Sequence, residues 1–437
     1  MAFEHFRRVR RSARVARTGA RIYFGYKRTQ RKTRNLSPEA AEAAWNARHE
    51  SEADRLYHMA VDLKGLYIKA GQFIGTRADV VPPAYTRSLS RLQDRVPARP
   101  AAAVRDTIEA ELQRPVDELF ARFDDTPIGA ASLAQAHRAL LHDGREVVVK
   151  VQYPEVGGLV KLDIRNLRTI VGIVARREPR FDFRAVVNEV GRQVPLEVDF
   201  VREAEMTRRV RANLAHIPHI TVPRVIDEMV ARRVVVTEYV EGRRLLEAGK
   251  HPEDIDGPAI AQTIADAYGH QIMVDGLFQA DPHPGNILLL PGGGVGLLDF
   301  GLTKELPDAP RLAFARLVMA ASSRDLVGVL AAFEELGVKT ASSDPDEVMA
   351  LMQVFFGPRA PGSPGGGLFP GRRQDNALAR NPVRAFPGDL VLLGRVVGLL
   401  RGVCSSLGAP LTPMEMLRPF AERALAKEAS GAAGHTP

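Results

Sequence analysis

Three polar side chains lie at the ends of two apolar runs in QADPHPGNILLLPGGGVGLLDFG, residues 279–301. Asp281 and Asn286 form the pattern D-x-x-x-x-N, and Asp299 opens the tripeptide D-F-G further along. Mg²⁺ prefers such hard oxygen ligands and needs few of them, because it keeps several waters. Two nearby carboxylates repel each other, so the grouping is favourable when a cation lies between them. The segment therefore predicts a metal and phosphate site on a short hairpin. The alternative is a pair of turn-capping polar residues beside a chance D-F-G.

The spacing matches the order of parts in protein kinases, where each of these residues has its own task. The first Asp orients or deprotonates the nucleophile, while the Asn and the Asp of D-F-G hold Mg²⁺ against the phosphates of ATP. We therefore assign Asp281 to catalysis, and Asn286 and Asp299 to the metal. His283 lies in the same loop and is interpreted as a hydrogen-bonded structural imidazole, with a part in the site as the alternative. A zinc role is disfavoured because no second His or Cys lies at ligand spacing.

Further parts of a nucleotide site are expected upstream. Lys150 closes the run V-V-V-K in a predicted strand, from which kinases pair a lysine with the α and β phosphates. Glu203, on a following predicted helix, is placed to orient that lysine, although a plain surface acid is the alternative. The segment TEYVEG follows another strand, and the backbone groups of Glu238 and Val240 are expected to hydrogen-bond adenine.

A phosphate-covering loop is expected about twenty residues before Lys150. The candidate loop contains Gly129, followed by Ala130, Ala131 and Ser132 where kinases have further glycines. Small side chains still let backbone N–H groups approach a phosphate closely. The alanines therefore indicate nucleotide handling that differs from that of ordinary kinases.

The order of predicted elements indicates an α+β fold with two lobes and a helical extension. The predicted regions are a basic N-terminal segment (1–35), a helical extension (36–125), a β-rich N-lobe (126–240) and a mostly helical C-lobe (241–437). The extension begins at Ser37, a helix start signal, and its pattern is helical through about residue 77. Residues 357–371 contain ten Gly or Pro and are predicted to be flexible, as is the tail after about residue 427.

The net charge of +8 is concentrated at the N terminus. Residues 1–35 hold twelve Lys or Arg against one Glu, so they carry +11 and the remaining residues −3. Apolar residues alternate with the basic ones, as in a helix that lies on an anionic membrane surface. A nucleic-acid arm and a solvated tail are the alternatives. Nothing else in the chain resembles a nucleic-acid module, so we expect no nucleic-acid partner.

The single cysteine, Cys404, cannot form an intramolecular disulfide and indicates a buried thiol in a reducing compartment. The basic start of the chain is not followed by the apolar stretch of a signal peptide. The best candidate for a membrane span, residues 390–403, is interrupted by Arg395 and Arg401. We therefore expect a cytoplasmic protein without a transmembrane helix, peripheral at the inner face of the membrane.

With these parts in order, the chain resembles the UbiB/AarF family of atypical kinase-like proteins. The match extends over roughly residues 40–410. Its motifs are K-A-G-Q (Lys69–Gln72), L-Q-D-x-x-P (Leu92–Pro97), G-A-A-S (Gly129–Ser132), E-V-D (Glu197–Asp199), D-P-H-P-G-N and D-F-G. The resemblance implies a protein-kinase-like fold whose N-terminal extension covers the cleft where a protein substrate would dock.

The resemblance also implies a regulatory role for the K-x-G-Q and E-x-D motifs. Lys69 is expected to pair with Glu197, the first acid of E-x-D, and we include Gln72 and Asp199 in the same regulatory set. Lys69 and Gln72 are three residues apart, so they share one helix face. A lysine close to the metal-binding acids would compete for their charge, and would thus tune or occlude the site.

The expected cofactors are ATP and Mg²⁺. The chain after D-F-G lacks both A-P-E and an extended activation segment, the parts that position a peptide in ordinary protein kinases. We therefore expect ATP hydrolysis or phosphoryl transfer in support of isoprenoid quinone (ubiquinone-type) biosynthesis or lipid handling, with the quinone lipid or its biosynthetic enzymes as partners. A small-molecule or lipid phosphotransferase and a nucleotide-gated lipid-binding scaffold without turnover are the alternatives.

Overall fold

The chain divides into two units in the computed structural model. The first unit comprises Met1–Arg202 and Ile226–Glu238, and the second comprises Glu203–Val225 and Tyr239–Pro437. The structure describes residues 2–75, 81–93, 98–153, 156–178, 184–248, 255–342, 344–356, 383–385, 388–409 and 411–433. One unit boundary, after Glu238, falls inside the TEYVEG segment.

The N-terminal part of the first unit is helical. Its helices are α1 (Ala2–Lys32), α2 (Pro38–Leu63), α3 (Leu66–Gly75), α4 (Pro83–Ser90), α5 (Ala101–Leu112) and α6 (Val116–Leu119). Ser37 caps α2, because its hydroxyl accepts a hydrogen bond from the Ala40 amide at 3.3 Å. The expectation of one helical stretch through about residue 77 is wrong: Lys64 and Gly65 both have a φ of +57° and separate α2 from α3.

Antiparallel strands follow and form a six-stranded sheet. The first strands are β1 (Arg122–Phe123), β2 (Gly129–Ala130), β3 (Ala134–Leu140) and β4 (Glu146–Gln152). The predicted turn at Asp143-Gly144 is confirmed, since Gly144 has a φ of +86° and joins β3 to β4. Alternate residues of β4 are buried, including Val147 and Val149. The sheet packs this face on α5 and α6 in one apolar cluster.

Three helices connect β4 to the remaining strands: α7 (Val156–Arg177), α8 (Arg184–Glu197) and α9 (Phe200–Leu214). The next strands are β5 (Ile220–Thr221), β6 (Val225–Ala231), β7 (Val234–Glu238) and β8 (Arg243–Arg244). The six-stranded sheet has the order β1-β3-β4-β7-β6, with β2 paired to β3. Helix α3 shares an apolar cluster with α7 and α8, so the K-x-G-Q helix is built into the first unit.

The second unit is mostly helical around short strands. Its further elements are α10 (Leu245–Ala248), α11 (Gly257–Gly269), a π-helix (His270–Asp275), β9 (Leu277–Gln279), β10 (Ile287–Leu289), β11 (Val295–Leu297), β12 (Thr303–Glu305), α12 (Asp308–Ser323), α13 (Leu326–Leu336), β13 (Lys339–Thr340), α14 (Pro345–Phe356), β14 (Val383–Ala385), α15 (Gly388–Ser406) and α16 (Pro413–Ala433). Helices α11, α12, α15 and α16 enclose one apolar core. The sulfur of Cys404 is buried there, and burial raises the pKa of its thiol to about 12.

Two expectations about flexible segments have different outcomes. The glycine- and proline-rich loop at 357–371 lies outside the described residues. The tail after about residue 427 was expected to be flexible, and this is wrong as far as Ala433, where α16 ends; the residues after it lie outside the described part of the chain. Within the part of the chain that is described, no helix has both the length and the apolar composition needed to cross a bilayer.

Candidate active site

The two residues predicted to bind the metal lie at the open end of one β-hairpin of the second unit. Strands β10 and β11 are antiparallel, with Ile287 opposite Leu297. The carbonyl oxygen of Asn286 accepts a hydrogen bond from the Leu298 amide at 2.8 Å, which extends the ladder by one step. Because Asp299 follows Leu298 directly, this pairing brings the amide of one predicted ligand and the carboxylate of the other to the same end of the hairpin.

Asp299 has a backbone conformation that is uncommon for a residue with a side chain. Its φ is +60°, in the left-handed region, which costs a residue with a side chain roughly 1–2 kcal/mol. Its Oδ1 accepts a hydrogen bond from the Gly301 amide at 3.2 Å, while the following Phe300 is buried in the core. The surroundings thus hold an exposed carboxylate in a strained position, a combination typical of functional sites.

The loop between Asp281 and Asn286 is closed by its own hydrogen bonds. The amide of His283 donates to the carbonyl of Asp281 at 2.7 Å, and the amide of Asn286 donates to the carbonyl of His283 at 2.8 Å. His283 Nδ1 accepts from the Gly285 amide at 3.1 Å, so this imidazole has the structural hydrogen bond that was predicted. These hydrogen bonds hold the backbone of the loop between Asp281 and Asn286 in one conformation.

Glu203 lies beside the D-F-G motif within the second unit. It is in the first turn of α9 and is almost fully buried. A methyl group placed on Gly301 would lie 3.4 Å from Glu203 Oε2 and 3.3 Å from Asp299 Oδ1. The Glu203 and Asp299 carboxylates thus lie on the same side of Gly301, close enough that a larger residue there would make tight contact with Asp299. The predicted pairing of Glu203 with Lys150 stays a prediction, since Lys150 belongs to the first unit.

In the first unit, strand pairing brings Lys150 and the alanine-rich loop to the two sides of β3. Lys150 on β4 lies opposite Ala136 of β3, and Gly129 of β2 lies opposite the same Ala136 from the other side. Two strand spacings correspond to about 10 Å. The Ala131 amide donates to the Ala134 carbonyl at 2.8 Å, which closes the turn that contains Ser132.

The K-x-G-Q and E-x-D motifs are joined by an ion pair. Lys69 Nζ lies 2.8 Å from Glu197 Oε2, as the resemblance implies. Gln72 Nε2 donates to the carbonyl of Leu92 at 2.9 Å, whereas Asp94 and Pro97 of the same motif lie outside the described residues.

Asp199 has a local structural contact instead. It accepts a hydrogen bond from the Arg202 amide at 3.1 Å and so caps α9. Next to this cap, the ring of Phe200 lies 5.2 Å from Lys150 Nζ, within the range of a cation–π contact. The E-x-D segment therefore packs close to the lysine strand inside the first unit.

The residues expected to bind adenine flank a unit boundary. Glu238 ends β7 opposite Val147 of β4 and belongs to the first unit. Val240 follows in the connecting segment and belongs to the second unit. Their backbone roles stay predictions.

Comparison with known proteins gives the family. A sequence model described as the ABC1 atypical kinase-like domain matches residues 91–333, more than half of the chain. The chain belongs to this family. AarF domain-containing protein kinase 1 of Xenopus tropicalis is 31% identical over 421 residues, which cover 92% of this chain and 79% of that protein.

Other relatives of this ABC1-family chain are matched over a smaller share of their length. The mouse AarF domain-containing protein kinase 1 is 35% identical over 66% of this chain and 56% of its own. The chloroplastic protein ACTIVITY OF BC1 COMPLEX KINASE 7 of Arabidopsis thaliana is 30% identical over 88% of this chain and 56% of its own. Rv3197 of Mycobacterium tuberculosis, solved in complex with erythromycin, has a TM-score of 0.61 at 24% identity, covering 89% of this chain and 98% of that chain. The predicted α+β, kinase-like two-lobed fold is confirmed.

Two residues of this ABC1-family site were missed by sequence reasoning. Arg395 of α15 donates from Nη2 to Oδ1 of Asp281 at 3.2 Å. Gln279 is buried at the end of β9, where its Nε2 donates to the carbonyls of Leu298 and Asp299 and its Oε1 accepts from the Tyr268 hydroxyl. Burial, with the charge of Asp281 as a smaller cause, raises the pKa of Tyr268, so this hydroxyl stays a donor. A polar residue in the apolar run L-F-Q-A was the available signal for Gln279.

Proposed function

We propose that this protein binds Mg–ATP and hydrolyses it or transfers its γ-phosphate to a non-peptide acceptor. The pairing of Asn286 with Leu298 is the observation that carries the proposal, because it brings the amide of Asn286 and the carboxylate of Asp299 to one end of a rigid hairpin. One carboxylate and one amide suit Mg²⁺, which completes its octahedron with waters and phosphate oxygens. The metal would neutralise charge that develops on the transferred phosphoryl group.

The remaining roles are part of the same proposal. In the first unit, Lys150 holds the α and β phosphates and the loop from Gly129 to Ser132 covers them with its backbone amides. In the second unit, Asp281 orients or deprotonates the nucleophile. Glu203, whose carboxylate lies at the D-F-G glycine, orients Lys150 in the nucleotide-bound protein.

A peptide substrate is disfavoured by the short connection after D-F-G. Strand β12 begins at Thr303 and pairs back onto β9, and α12 begins at Asp308. This leaves little chain between Gly301 and α12 that is not already paired. An extended activation segment, which supports the peptide in protein kinases, therefore has no counterpart in this described stretch.

The acceptor is proposed to be a lipid or water, in a protein that supports isoprenoid quinone biosynthesis or lipid handling. Family membership supports this assignment together with the outer face of α1. Phe6, Val9 and Phe24 are exposed and, at 100° per residue, lie within roughly 60° of one another around the helix axis. Arginines flank this face, as in helices that lie on an anionic bilayer. We propose peripheral membrane contact through α1.

The test replaces one carboxylate by its isosteric amide. Asp299→Asn keeps the shape of the side chain and removes the charge that holds Mg²⁺, so Mg-dependent ATP binding should be lost in calorimetry. Asp308→Asn makes the same change at an exposed aspartate at the start of α12 and should bind like the wild type. If Asp299→Asn binds ATP with unchanged Mg-dependent affinity, the metal assignment is wrong.

A second experiment identifies the acceptor. The protein is incubated with γ-labelled ATP and a lipid extract, and the label is followed. Release of free phosphate supports an ATPase, and label in the lipid fraction supports a phosphotransferase. ATP binding without either product under all lipid conditions favours the nucleotide-gated scaffold. Mass spectrometry of lipid that co-purifies with the protein would test the link to quinones.

A further inference from the structure

A cavity of about 600 Å³ lies in the first unit, at the junction of three helices and the alanine-rich loop. Helix α1, the end of α2 with the turn into α3, and the start of α7 form its walls. Its lining comprises Arg10, Arg11, Arg14, Asp62, Leu63, Lys64, Gly65, Leu66, Arg99, Ser132, Tyr153, Val156, Leu159, Val160 and Asp163. Cavities of this volume are within the range that binds small molecules.

The described lining is strongly cationic. It contains five basic side chains and two carboxylates, an excess of three positive charges. Both carboxylates already contact an arginine of α1: Asp163 contacts Arg11 and Asp62 contacts Arg14. A concave surface with one sign of charge raises the local concentration of ions of the opposite sign. The cavity therefore attracts anions.

Two of these cations are fixed in place. Arg11 donates two hydrogen bonds to Asp163, from Nε at 2.7 Å and from Nη2 at 2.6 Å, and both side chains are buried. The guanidinium of Arg99 lies 5.0 Å from the centre of the Tyr153 ring, and its backbone exchanges two hydrogen bonds with the Gln135 side chain. Arg99 held in this way loses little conformational entropy when an anion binds, whereas Arg11, which donates to Asp163 and to the carbonyls of Leu63 and Lys64, fixes the cavity wall.

The turn into α3 contributes an independent observation. Lys64 is a non-glycine residue with a φ of +57° and a ψ of −169°, and Gly65 follows with a φ of +57°. Arg11 donates to the carbonyls of Leu63 and Lys64, so a buried ion pair holds this strained turn at the cavity wall. Strained backbone that the surroundings hold in place is concentrated at ligand-binding sites.

We propose that this cavity binds an anion that carries a phosphate or diphosphate group. Guanidinium groups match phosphate geometry and make two parallel hydrogen bonds to it, and Lys64 adds a point charge. The apolar side chains of Leu66, Leu159 and Val160 line the same cavity and accommodate a hydrocarbon portion of the ligand. The site is separate from the residues assigned to ATP, apart from the shared loop residue Ser132.

An occupant would act on the alanine-rich loop. Tyr153, in the cavity wall, donates from its hydroxyl to the carbonyl of Ala131 at 3.1 Å, and its amide donates to the carbonyl of Leu133 at 3.0 Å. Ser132, between these two residues, lines the cavity itself. The bound anion therefore influences the conformation of this loop, which, in the proposed function, covers the phosphates of ATP.

The test uses two matched pairs of substitutions on α1. Arg10→Gln with Arg14→Gln removes two charges of the cavity lining, whereas Arg17→Gln with Arg21→Gln removes two exposed charges of the same helix outside it. Binding of inorganic pyrophosphate is measured by calorimetry without Mg²⁺. We expect pyrophosphate to bind the wild type saturably. Its affinity should fall at least about tenfold in the first pair of substitutions and change by no more than about twofold in the second. Arg10→Gln alone leaves both ion pairs intact and should give a smaller loss in the same direction.

Three outcomes would overturn the proposal. The first is that pyrophosphate does not bind the wild type saturably, and the second is that both pairs of substitutions lose the same pyrophosphate affinity. The third is that Arg10→Gln with Arg14→Gln lowers the affinity for Mg–ATP, which would assign these arginines to the nucleotide site.

Vesicles of phosphatidylglycerol in phosphatidylcholine then identify the source of the phosphate. If pyrophosphate displaces the protein from these vesicles, a lipid headgroup is the ligand. If vesicle binding is unchanged while pyrophosphate binds, the ligand is soluble. Either result supports the cavity as a phosphate site.

Discussion

Arg395 and Asp281 form a half-buried ion pair in the second unit. The distance from Arg395 Nη2 to Asp281 Oδ1 is 3.2 Å, and the exposed fractions of the arginine and aspartate side chains are 20% and 27%. The arginine comes from α15, more than a hundred residues after the aspartate. This pair orients the carboxylate that we propose to act on the nucleophile, and it makes Arg395 a positioning residue.

Loss of Arg395 should therefore lower turnover more than nucleotide binding. Arg395→Ala removes the contact that orients Asp281, and misplacement of a catalytic group by about 1 Å can cost roughly a hundredfold. We expect kcat for phosphate release to fall by about 10- to 100-fold, with the KM for ATP within about twofold of wild type. Arg395→Lys should recover part of the loss, because it keeps the charge but not the planar fork.

The control for this prediction is Arg418→Ala on α16. Arg418 pairs with Glu422 at the surface, where such pairs contribute little. Turnover of that variant should equal the wild type. A kcat of Arg395→Ala at or above the wild-type value would show that the arginine restrains Asp281 rather than positions it.

Spacing along the chain is sufficient to find residues that lie close together in sequence, and the resemblance adds the distant pair of Lys69 and Glu197, but neither indicates Arg395 or Gln279. D-x-x-x-x-N, D-F-G and the hairpin between them lie within 21 residues, and local patterns are sufficient to predict them. Arg395 was seen only as an interruption of an apolar run, because nothing in that run indicates its partner. Gln279 was missed for the same reason: its partners are backbone carbonyls 19 and 20 residues later.

The break between α2 and α3 shows a different limit. Apolar residues recur at helical spacing on both sides of it, at Leu56, Met59, Leu63, Leu66 and Tyr67, so periodicity alone predicts one continuous helix. The break depends on the positive φ of Lys64, whose carbonyl accepts a hydrogen bond from Arg11. Gly65 was the available signal, but a lone glycine inside a helical pattern is usually tolerated.

Gln279 should be important for stability as well as for the geometry of D-F-G. Gln279→Leu leaves the carbonyls of Leu298 and Asp299 without this donor and the Tyr268 hydroxyl without its acceptor. Each buried polar group left unpaired costs about 1–3 kcal/mol, so the free energy of unfolding should fall by about 3 kcal/mol. We expect a clearly lower thermal midpoint and faster amide exchange at residues 298–301.

The same substitution at Gln262 provides the control. Gln262 lies on α11 and donates to Asp266 at the surface. Gln262→Leu should leave the thermal midpoint nearly unchanged. If both variants have the same midpoint, the buried hydrogen bonds of Gln279 contribute nothing to stability.

His137 should make the stability of the first unit depend on pH. It is fully buried on β3, its Nδ1 donates to the Asp124 carbonyl at 2.8 Å, and its Nε2 accepts from Gln135 at 2.9 Å. Burial lowers the pKa of His137 in the folded protein. The unfolded chain binds a proton below about pH 6.5, where the folded state does not, so unfolding becomes more favourable as the pH falls.

The measurement is the thermal midpoint of the protein between pH 7.5 and pH 5. The wild type should lose stability below about pH 6.5, and His137→Gln should show a flatter dependence, whatever its absolute midpoint. His58→Gln, at an exposed position of α2, should retain the wild-type dependence. Equal pH profiles for wild type and His137→Gln would contradict the assignment.

The exposed apolar face of α1 gives the last prediction. Phe6 and Phe24 are 65% and 67% exposed and lie on the same side of the helix. Insertion of both rings below the headgroups of a bilayer would bury apolar area that is otherwise in water. Phe6→Ser with Phe24→Ser should therefore weaken binding to phosphatidylglycerol vesicles by at least about tenfold in co-sedimentation, while folding is unchanged because neither ring is in the core.

The control for this prediction is Val327→Ser, which removes a more exposed apolar side chain from α13 and should have no effect on vesicle binding. Equal binding by the double variant and the wild type would rule out this face as the membrane contact and leave the arginines of α1 as the alternative.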